Sequence, residues 1–277
     1  MAAYSIRPLE QLEEYEACVK LQEHVWGKGF SERVPASILL VAQKLGGLVA
    51  GAFTPSNTLI GFVFGLTGPM EGQLVHWSDM LGVHTSWRGK GIGRSLKWYQ
   101  RSVMLERGIP YIFWTYEPLE ARNAYINLHV LGAEVYAYVP SMYPEHTGSP
   151  LHQGLGMDRL IVRWDVQHPR VEALYRGNIP PLSEEAVHAP ALLPDKPTLP
   201  AHPPPAFRVA IPSNIQELKQ HDLKRAQQWR RFIRAVFQRY LPRYRVIDFQ
   251  RYPDEPLAYY IFVHRKRYDN TGTPASS

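Results

Sequence analysis

The sequence of 277 residues contains a single cysteine, Cys18, and no long hydrophobic run. One cysteine excludes an intrachain disulfide and any metal site built on several cysteines. Cys18 lies in a stretch with helical spacing, which favours a buried thiol over a reactive one. No run reaches the roughly eighteen apolar residues that a membrane-spanning helix needs, so we expect no membrane span.

The N-terminal stretch MAAYSIRPLEQLEEYE is polar and acidic, and it has no apolar core of the kind that a secretory signal carries. Together with the single thiol, this composition predicts a protein of the reducing cytoplasm. Apolar residues make up 45% of the chain. That fraction allows a substantial core in one large domain or in two modest ones.

Positive charge is concentrated near the C-terminus. Residues 213–245 hold nine Lys and Arg against two acidic residues, a local net charge of +7 within a total of +6. No nucleic-acid-binding motif accompanies this segment, so we interpret it as a solvated helix face and expect no nucleic-acid partner. Arg230, Arg231 and Arg234 could instead attract the carboxylate of a substrate, which would suit an amino-acid acceptor.

Proline divides the chain into parts. Residues 168–212 carry eleven of the 24 prolines. Because proline lacks an N–H group and fixes φ, we predict neither a helix nor a central strand there, but an extended connector. The predicted domains are therefore residues 1–167, the connector 168–212 and a C-terminal extension 213–277.

Hydrophobic periodicity predicts alternating strands and helices within residues 1–167. The predicted strands are Tyr4–Arg7, Leu48–Phe53, Leu59–Leu66, Leu74–His84, Pro110–Tyr116, Val135–Val139 and Leu160–Val166. The predicted helices are Gln11–Trp26, Pro35–Leu45, Ile92–Arg107 and one that runs from Pro118 to Gly132.

The extension is predicted to form one helix over residues 213–241, with Ser213 and Gln216 as a capping box. Two strands, Tyr244–Phe249 and Ala258–Val263, follow. Such a unit is too small for a core of its own, so we expect it to pack on the sheet of its own chain or of a partner. There it would form a homodimer contact or the wall of a substrate pocket.

Three glycines alternate with other residues in RGKGIG, at positions 88–93, just before a predicted helix. The P-loop motif does not fit, because it needs Gly-Lys-Ser/Thr. The dinucleotide-binding motif does not fit either, because the position of its third glycine holds Arg94 when the motif starts at Gly89 and Leu96 when it starts at Gly91. Glycines let backbone N–H groups converge on a phosphate, and the N-terminus of a helix adds free N–H groups and a positive dipole. The loop therefore predicts a phosphate-bearing ligand.

The same six residues match Arg/Gln-x-x-Gly-x-Gly/Ala, and through them the chain resembles the GNAT N-acetyltransferases. A longer stretch, WTYEPLEARNA with NLH and LGA after it (residues 114–133), resembles a little-studied bacterial branch of that family. The resemblance covers roughly residues 4–166. It implies an α/β (α+β) GNAT fold, in which a mixed, mostly antiparallel sheet with flanking helices splays between strands 74–84 and 110–116. The small helix–strand–strand extension would be an addition to that fold.

The resemblance also implies a chemistry. The co-substrate would be acetyl-CoA or another acyl-CoA, the acceptor a small-molecule amine, and no metal would take part. The pyrophosphate would lie on the glycine loop, and the pantetheine would pair with the backbone of the strand before it. The implied cofactor-binding residues are Leu81, Gly82, Val83, Arg88, Gly89, Lys90, Gly91, Ile92, Gly93, Arg94 and Asn123.

Asp79 is the first candidate for proton transfer. Alternation along its strand predicts two faces, one with His76, Ser78 and Met80 and the other with Trp77, Asp79 and Leu81. A carboxylate in a central strand is costly unless it has a partner or a task. Asp79 could accept the proton of the amine or hold the substrate ammonium.

Glu117 ends the next strand and is a second candidate base, with capping of the following helix as the alternative. Many GNAT enzymes protonate the thiolate with a tyrosine four residues before the glycine of the last helix. Leu128 has that position here, four residues before Gly132. Tyr125 is the candidate acid in its place, and a tyrosine packed on the core side is the alternative.

Other polar residues on the same helix have weaker claims. His129 is adjacent to Leu128 but would point about 100° away around the helix. Asn123 and Asn127 are four apart on one helical face. By resemblance Asn123 would bond the pantetheine or phosphate arm, and a plain polar residue at the helix start is the alternative.

The sequence therefore predicts a cytoplasmic acyl-CoA-dependent N-acyltransferase in which an amine attacks the thioester directly. The alternative is a CoA-binding sensor or scaffold without turnover, because the usual tyrosine is replaced by Leu128.

Overall fold

The computed structural model describes residues 4–144, 154–179, 184–195 and 199–268. They belong to two compact units. The first unit contains residues up to 114 and the segment 163–172, and the second contains the rest. No helix in the described ranges is both long and apolar enough to span a bilayer.

The first unit is built on a sheet with the strand order β1-β2-β3-β4-β5. These strands are β1 Ser5–Pro8, β2 Leu48–Phe53, β3 Leu59–Met70, β4 Gln73–Val83 and β5 Tyr111–Tyr116, whose last two residues belong to the second unit. Neighbours up to β4 are antiparallel, and β4 and β5 are parallel. The sheet is mixed and mostly antiparallel, as the sequence predicted.

Three helices complete the first unit: α1 Leu12–Trp26, α2 Ala36–Lys44 and α3 Ile92–Glu106. Helices α1 and α2 pack with β3 and β4 in a core that includes Leu39, Phe62, Phe64 and Met80. Cys18 lies in that core, and burial raises the pKa of its thiol to about 12. The prediction of a buried cysteine is confirmed.

The second unit contains a four-stranded sheet with the order β10-β11-β9-β8. Its strands are β8 Ala191–Leu192, β9 Ala206–Pro212, β10 Tyr244–Gln250 and β11 Leu257–His264. Two further strands, β6 Glu134–Val139 and β7 Arg159–Asp165, are neighbours, and β7 ends in the first unit.

The helices of this part are short except for one. They are α4 Ala121–Ala124, α5 Pro169–Tyr175, α6 Glu184–Val187, α7 Ile215–His221, α8 Leu223–Tyr240 and α9 Arg265–Tyr268. The apolar stripe of α8 covers the four-stranded sheet, where the ring of Phe237 lies 5.2 Å from Tyr260 and 5.4 Å from Phe262. These aromatic contacts, at the distances typical of edge-on and tilted pairs, form the centre of the core.

The prediction of an extended connector over residues 168–212 was wrong. Strand β9 is central, since it pairs with β11 on one side and β8 on the other. The prolines permit this because Pro203–Pro205 precede the strand and only Pro212 lies within it, as its last residue. Pro169 opens α5 at the first helical position, where its missing N–H group costs nothing.

The extension also differs from the prediction. Its helix is divided into α7 and α8 at Asp222, whose side chain accepts the N–H of Arg225 at 2.9 Å. The cap of α7 is Asn214, and Ser213 instead donates its hydroxyl to the carbonyl of Glu255 at 2.6 Å. The extension belongs to the same compact unit as residues 115–144, so the boundary predicted near residue 167 does not separate the two units.

The predicted helix Pro118–Gly132 is shorter and irregular. Regular α-helix is limited to α4, and the next turn, Tyr125–Val130, is a π-helix. The amide of Leu131 donates to the carbonyl of Ile126 at 2.9 Å, five residues back. Such wide turns are rare in proteins, and those that occur are often found at functional sites.

Candidate active site

The glycine loop has the backbone conformation that its glycines permit. Gly89 and Gly91 both have φ of +80°, in the left-handed region where a side chain is strained. Gly91 is the residue at the N-cap of α3. A Cβ on Gly93 would lie 3.4 Å from the side chain of Leu81, so this glycine sits where α3 packs closely on β4.

The first turn of α3 has free amides. Its N-cap supplies no side-chain hydrogen bond, and the first helical bond runs from the Ser95 amide to the Gly91 carbonyl at 3.0 Å. The amides of Ile92, Gly93 and Arg94 therefore have no partner in the described chain. They lie at the positive end of a fifteen-residue helix, which favours an anion.

Three cationic residues lie in or directly beside the loop in sequence. The Arg88 Nε donates to the carbonyl of Val83 at 3.3 Å, and the Lys90 Nζ lies 4.4 Å from the centre of the Trp87 ring. Arg94 is exposed. Within the described ranges, none of the three forms an ion pair with Asp or Glu. Their charge is available to a phosphate.

Strands β4 and β5 pair only at their beginnings. The register joins His76 to Ile112 and Trp77 to Phe113. Beyond Trp77, β4 continues to Val83 with no pairing to β5 among the described residues. Leu81, Gly82 and Val83 are bonded to β3 on their other side. The splay that the resemblance implied is therefore present.

A β-bulge lies at Asp79. Phe64 pairs with Met80 and the adjacent Gly65 pairs with Ser78, so Asp79 is one extra residue in β4. A bulge reverses the alternation of side chains that follow it. The predicted face shared by His76, Ser78 and Met80 was wrong for this reason.

The side chains show the change of face directly. His76 and Ser78 contact α3, whereas Met80 lies in the core with α1 and α2. The Asp79 carboxyl is exposed to water. Burial nevertheless raises its pKa, as does the charge of Glu32. A raised pKa makes its carboxylate a better proton acceptor.

A buried polar network lies behind this part of β4, and the sequence did not predict it. The Lys97 Nζ donates to the Ser78 Oγ at 2.8 Å and the Gln100 Oε1 at 3.2 Å, and lies 3.8 Å from the centre of the Trp114 ring. The Gln100 Nε2 lies 3.0 Å from the His76 Nε2. Lys97 thus contacts both β4 and β5.

Burial determines the charge of this network. It lowers the pKa of Lys97 well below its ordinary value and that of His76 to about 3. Neutral His76 accepts from Gln100 through Nε2 and donates from Nδ1 to Thr67, 2.9 Å away. The two strands are thus bridged by side chains that burial favours in their neutral form.

Glu117, in the second unit, has other partners. Its Oε1 accepts the amide of Leu119 at 2.9 Å and lies 2.5 Å from Arg230, and its Oε2 accepts from Arg159 at 3.3 Å. The hydrogen bond from the Leu119 amide agrees with the alternative that Glu117 caps the following helix. Two guanidinium groups and an amide occupy both carboxylate oxygens, which makes Glu117 a poor candidate for a free base.

The neighbouring Asp158 is also engaged. Arg234 binds it at 2.6 Å and 2.9 Å, and Tyr138 donates its hydroxyl to it. Burial would raise the pKa of Asp158, but the bonds from Arg234 and Tyr138 outweigh that effect and lower it. Arg230 and Arg234, which the sequence offered as anchors for a substrate carboxylate, already have carboxylate partners within the protein.

Tyr125 is half-buried and stacks on a histidine of the next turn. Its ring lies 4.9 Å from that of His129, and the His129 Nδ1 lies 3.0 Å from the Asp248 Oδ1. The His129 imidazole thus has a buried carboxylate partner, which its position in the sequence did not predict. Leu128 is buried, with 1% of its surface exposed.

The two asparagines of this segment do not share an environment. Asn123 is exposed and Asn127 is buried. The π-helical turn begins at Tyr125, between them, and changes the angle per residue. The predicted common face was therefore wrong, while Asn123 is accessible to a ligand.

The predicted residues fall into two groups. The glycine loop, Leu81–Val83 and Asp79 belong to the first unit. Glu117, Asn123 and Tyr125 belong to the second. Lys97 was missed because a lysine on an amphipathic helix is normally solvent-exposed, and Asp248 because its partner lies 119 positions away.

No protein-family model matches the chain, and no curated protein sequence matches it. Solved structures do. The ribosomal-protein-S18-alanine N-acetyltransferase from Escherichia coli is 15% identical, with a TM-score of 0.46 over 59% of this chain and 94% of that one. A putative acetyltransferase from Salmonella typhimurium, solved with its cofactor acetyl-CoA, is 19% identical, with a TM-score of 0.45 over 59% and 94%.

A third similar structure is the GNAT family N-acetyltransferase YhbS from Escherichia coli in complex with CoA. It is 16% identical, with a TM-score of 0.41 over 63% of this chain and 86% of that one. The chain is thus similar to N-acetyltransferases over part of its length.

Proposed function

We propose that this protein is an acyl-CoA-dependent N-acyltransferase of the GNAT type. The observation that supports it most is the glycine loop. Two left-handed glycines, three free amides of α3 and three cations without carboxylate partners form one anion-binding surface. Beyond Trp77, β4 is not paired with β5, and this unpaired part of the strand runs to Val83, next to the loop. Its backbone N–H and C=O groups can pair with an extended ligand. CoA joins a pyrophosphate to a long amide-containing arm, and this arrangement suits both parts.

The proposed reaction needs no covalent enzyme intermediate. The amine nitrogen attacks the thioester carbon, the C–N bond forms, and the C–S bond breaks with its electrons on sulfur. The amine loses one proton and the thiolate gains one. Asp79 is the proposed acceptor of the amine proton, because its carboxyl is open to water and its pKa is raised. Glu117 is a weaker candidate, since two arginines occupy it.

The acyl donor and the acceptor are proposed by class only. Acetyl-CoA is the first donor to test. A small molecule with a primary amine is the proposed acceptor.

Isothermal titration with acetyl-CoA tests the co-substrate. We expect saturable binding, and we expect Gly91→Val to abolish most of it, because valine does not tolerate φ of +80°. Gly72→Val is a matched control. Gly72 has φ of +79° and open space around it, but lies in the turn between β3 and β4.

Equal loss in both variants would show that backbone strain alone is responsible. Absence of binding by the unmodified protein to any acyl-CoA tested would overturn the proposal.

A CoA-binding module without turnover is the second candidate, and buried Leu128 at the family's tyrosine position favours it. Release of free thiol across a panel of amines separates the two. An enzyme will release CoA with at least one amine, and Asp79→Asn will lower that rate by about 10²-fold or more, the usual contribution of a positioned base. Acetyl-CoA binding without thiol release would favour the module.

A further inference from the structure

The second unit contains a cavity of about 330 Å³ lined by Tyr125, Arg251 and Pro253. Its size is at the lower end of the range for small-molecule sites. An arginine, a tyrosine and a proline therefore line a space whose size suits a small molecule. None of the three belongs to the glycine loop or to the bulge in β4.

Arg251 is available to a ligand. It follows β10 directly, its side chain is exposed, and it forms no ion pair with any carboxylate of the described ranges. Arg230 and Arg234 differ from it, since Glu117 and Asp158 neutralise them. An arginine without an internal partner at a cavity can offer two parallel N–H donors to a carboxylate.

Tyr125 is held in place from behind. Its ring stacks on His129 at an interplanar angle of 26°, and Asp248 binds the Nδ1 of that histidine. Only 1% of Asp248 is exposed, and it also accepts the amide of Phe249 at 2.7 Å. A buried carboxylate that has two donors fixes the imidazole, and the imidazole fixes the phenol at the cavity wall.

Strand β10 packs on the π-helical turn, and its register places Arg245 and Gln250 on the same face as Asp248. Tyr125 covers the other side of the imidazole. The Nε2 of His129 has no hydrogen-bond partner in the described structure.

We propose that this cavity is a binding site for a carboxylate group, in which Arg251 donates to both oxygens and Tyr125 donates its hydroxyl. Pro253 provides apolar contact for the rest of the ligand. His129 and Asp248 are positioning residues for Tyr125. The proposed ligand class is a small molecule that carries a free carboxylate. A free amino acid and the C-terminus of a short peptide share this chemistry.

The test measures binding to the full-length protein without CoA, so it does not depend on acyl transfer. The probes are the twenty common L-amino acids, their C-terminal amides and a set of tripeptides with free C-termini. Saturation-transfer NMR measures the binding of each probe. We expect binding of acids and not of the matching amides. Binding of free amino acids alone would identify a free amino acid as the ligand, whereas binding of tripeptides as well would identify the C-terminus of a peptide.

Variants identify the site. Arg251→Gln should weaken binding of the best carboxylate by about tenfold or more, as expected for loss of a charged hydrogen bond. Arg239→Gln is the control, because Arg239 is exposed on α8 and has no ion pair in the described ranges. An equal effect of both, or amides that bind as tightly as acids, would overturn the proposal.

The positioning role has its own readout. His129→Leu should reduce the preference for acids over amides, and His129→Asn should restore part of it, because an asparagine N–H can occupy the place of Nδ1–H against Asp248. Loss of stability without change in that preference would show a structural role only. The acetyl-CoA titration is separate, so failure of one proposal leaves the other to its own test.

Discussion

In the first unit, Arg88, Lys90 and Arg94 are near water and have no carboxylate partner, whereas Arg159 and Arg230 in the second unit are buried and share carboxylates. Exposed cations cost the fold little and keep their hydrogen bonds for a ligand. Buried guanidinium groups must be neutralised where they lie, because an unpaired buried charge is strongly unfavourable. The same residue types are therefore unpaired and exposed in one unit and paired within the core in the other.

The largest expected effect concerns the buried group. Glu117→Ala should destabilise the protein by about 3–5 kcal/mol, because it removes the carboxylate that Arg159 and Arg230 share and leaves Arg230 with only a 3.8 Å contact to Asp158. Urea unfolding followed by circular dichroism measures it. Lys90→Ala is the matched control and should change stability by less than about 0.5 kcal/mol. Equal effects of the two would remove the distinction between the regions.

The buried network behind β4 should appear as a dependence of stability on pH. The folded pKa of His76 is about 3, below its unfolded value near 6.5. Its stabilising contribution is complete above pH 6.5 and is lost as the pH falls toward 3, with a slope approaching about 1.4 kcal/mol per pH unit. His76→Gln should remove this slope in urea unfolding between pH 4 and 6.5. An unchanged slope would contradict the buried neutral imidazole.

Lys97 should give an alkaline counterpart. Because burial lowers its folded pKa below the ordinary 10.5, the unfolded chain holds more protons between the two values, and stability should rise with pH in that window. Lys97→Met, which keeps the length of the side chain, should flatten that rise and leave stability at neutral pH unchanged or higher. A loss of stability at neutral pH would indicate that the bond from Lys97 to Ser78 outweighs the cost of burial.

The smallest expected effect concerns the exposed cations. Replacing Arg88, Lys90 and Arg94 together by Gln should weaken acetyl-CoA binding by about tenfold at low salt, and less at high salt, because exposed charges are screened. Titrations at two salt concentrations measure this. Unfolding by urea should be nearly unchanged. An affinity loss that is independent of salt would point to a change in the loop itself.

Local patterns predicted most of the first unit correctly. The strand Leu48–Phe53 has the predicted bounds, and α1 and α3 begin and end within a residue of prediction. Their apolar spacing and flanking residues act within a few positions of each other, so the sequence shows them directly. The left-handed glycines of the loop are also a local property.

The wrong predictions have a common cause, because the features they concern depend on residues far away in the sequence. The bulge at Asp79 depends on pairing with Phe64 and Gly65, and alternation along β4 alone does not reveal it. The number of prolines in residues 168–212 led to the wrong prediction of an extended connector. The position of each proline relative to β9 matters more than their number.

The sequence by itself determined the conformation of the glycine loop, because the left-handed Gly89 and Gly91 and the start of α3 depend on residues adjacent in sequence. Tertiary structure decided which charged side chains are free. Glu117 looks like a base in the sequence and is an ion-pair partner of Arg230 in the fold, while His129 becomes a fixed imidazole only through Asp248. The pairing of a charge depends on which distant residue shares its burial, and that is a property of the packed chain.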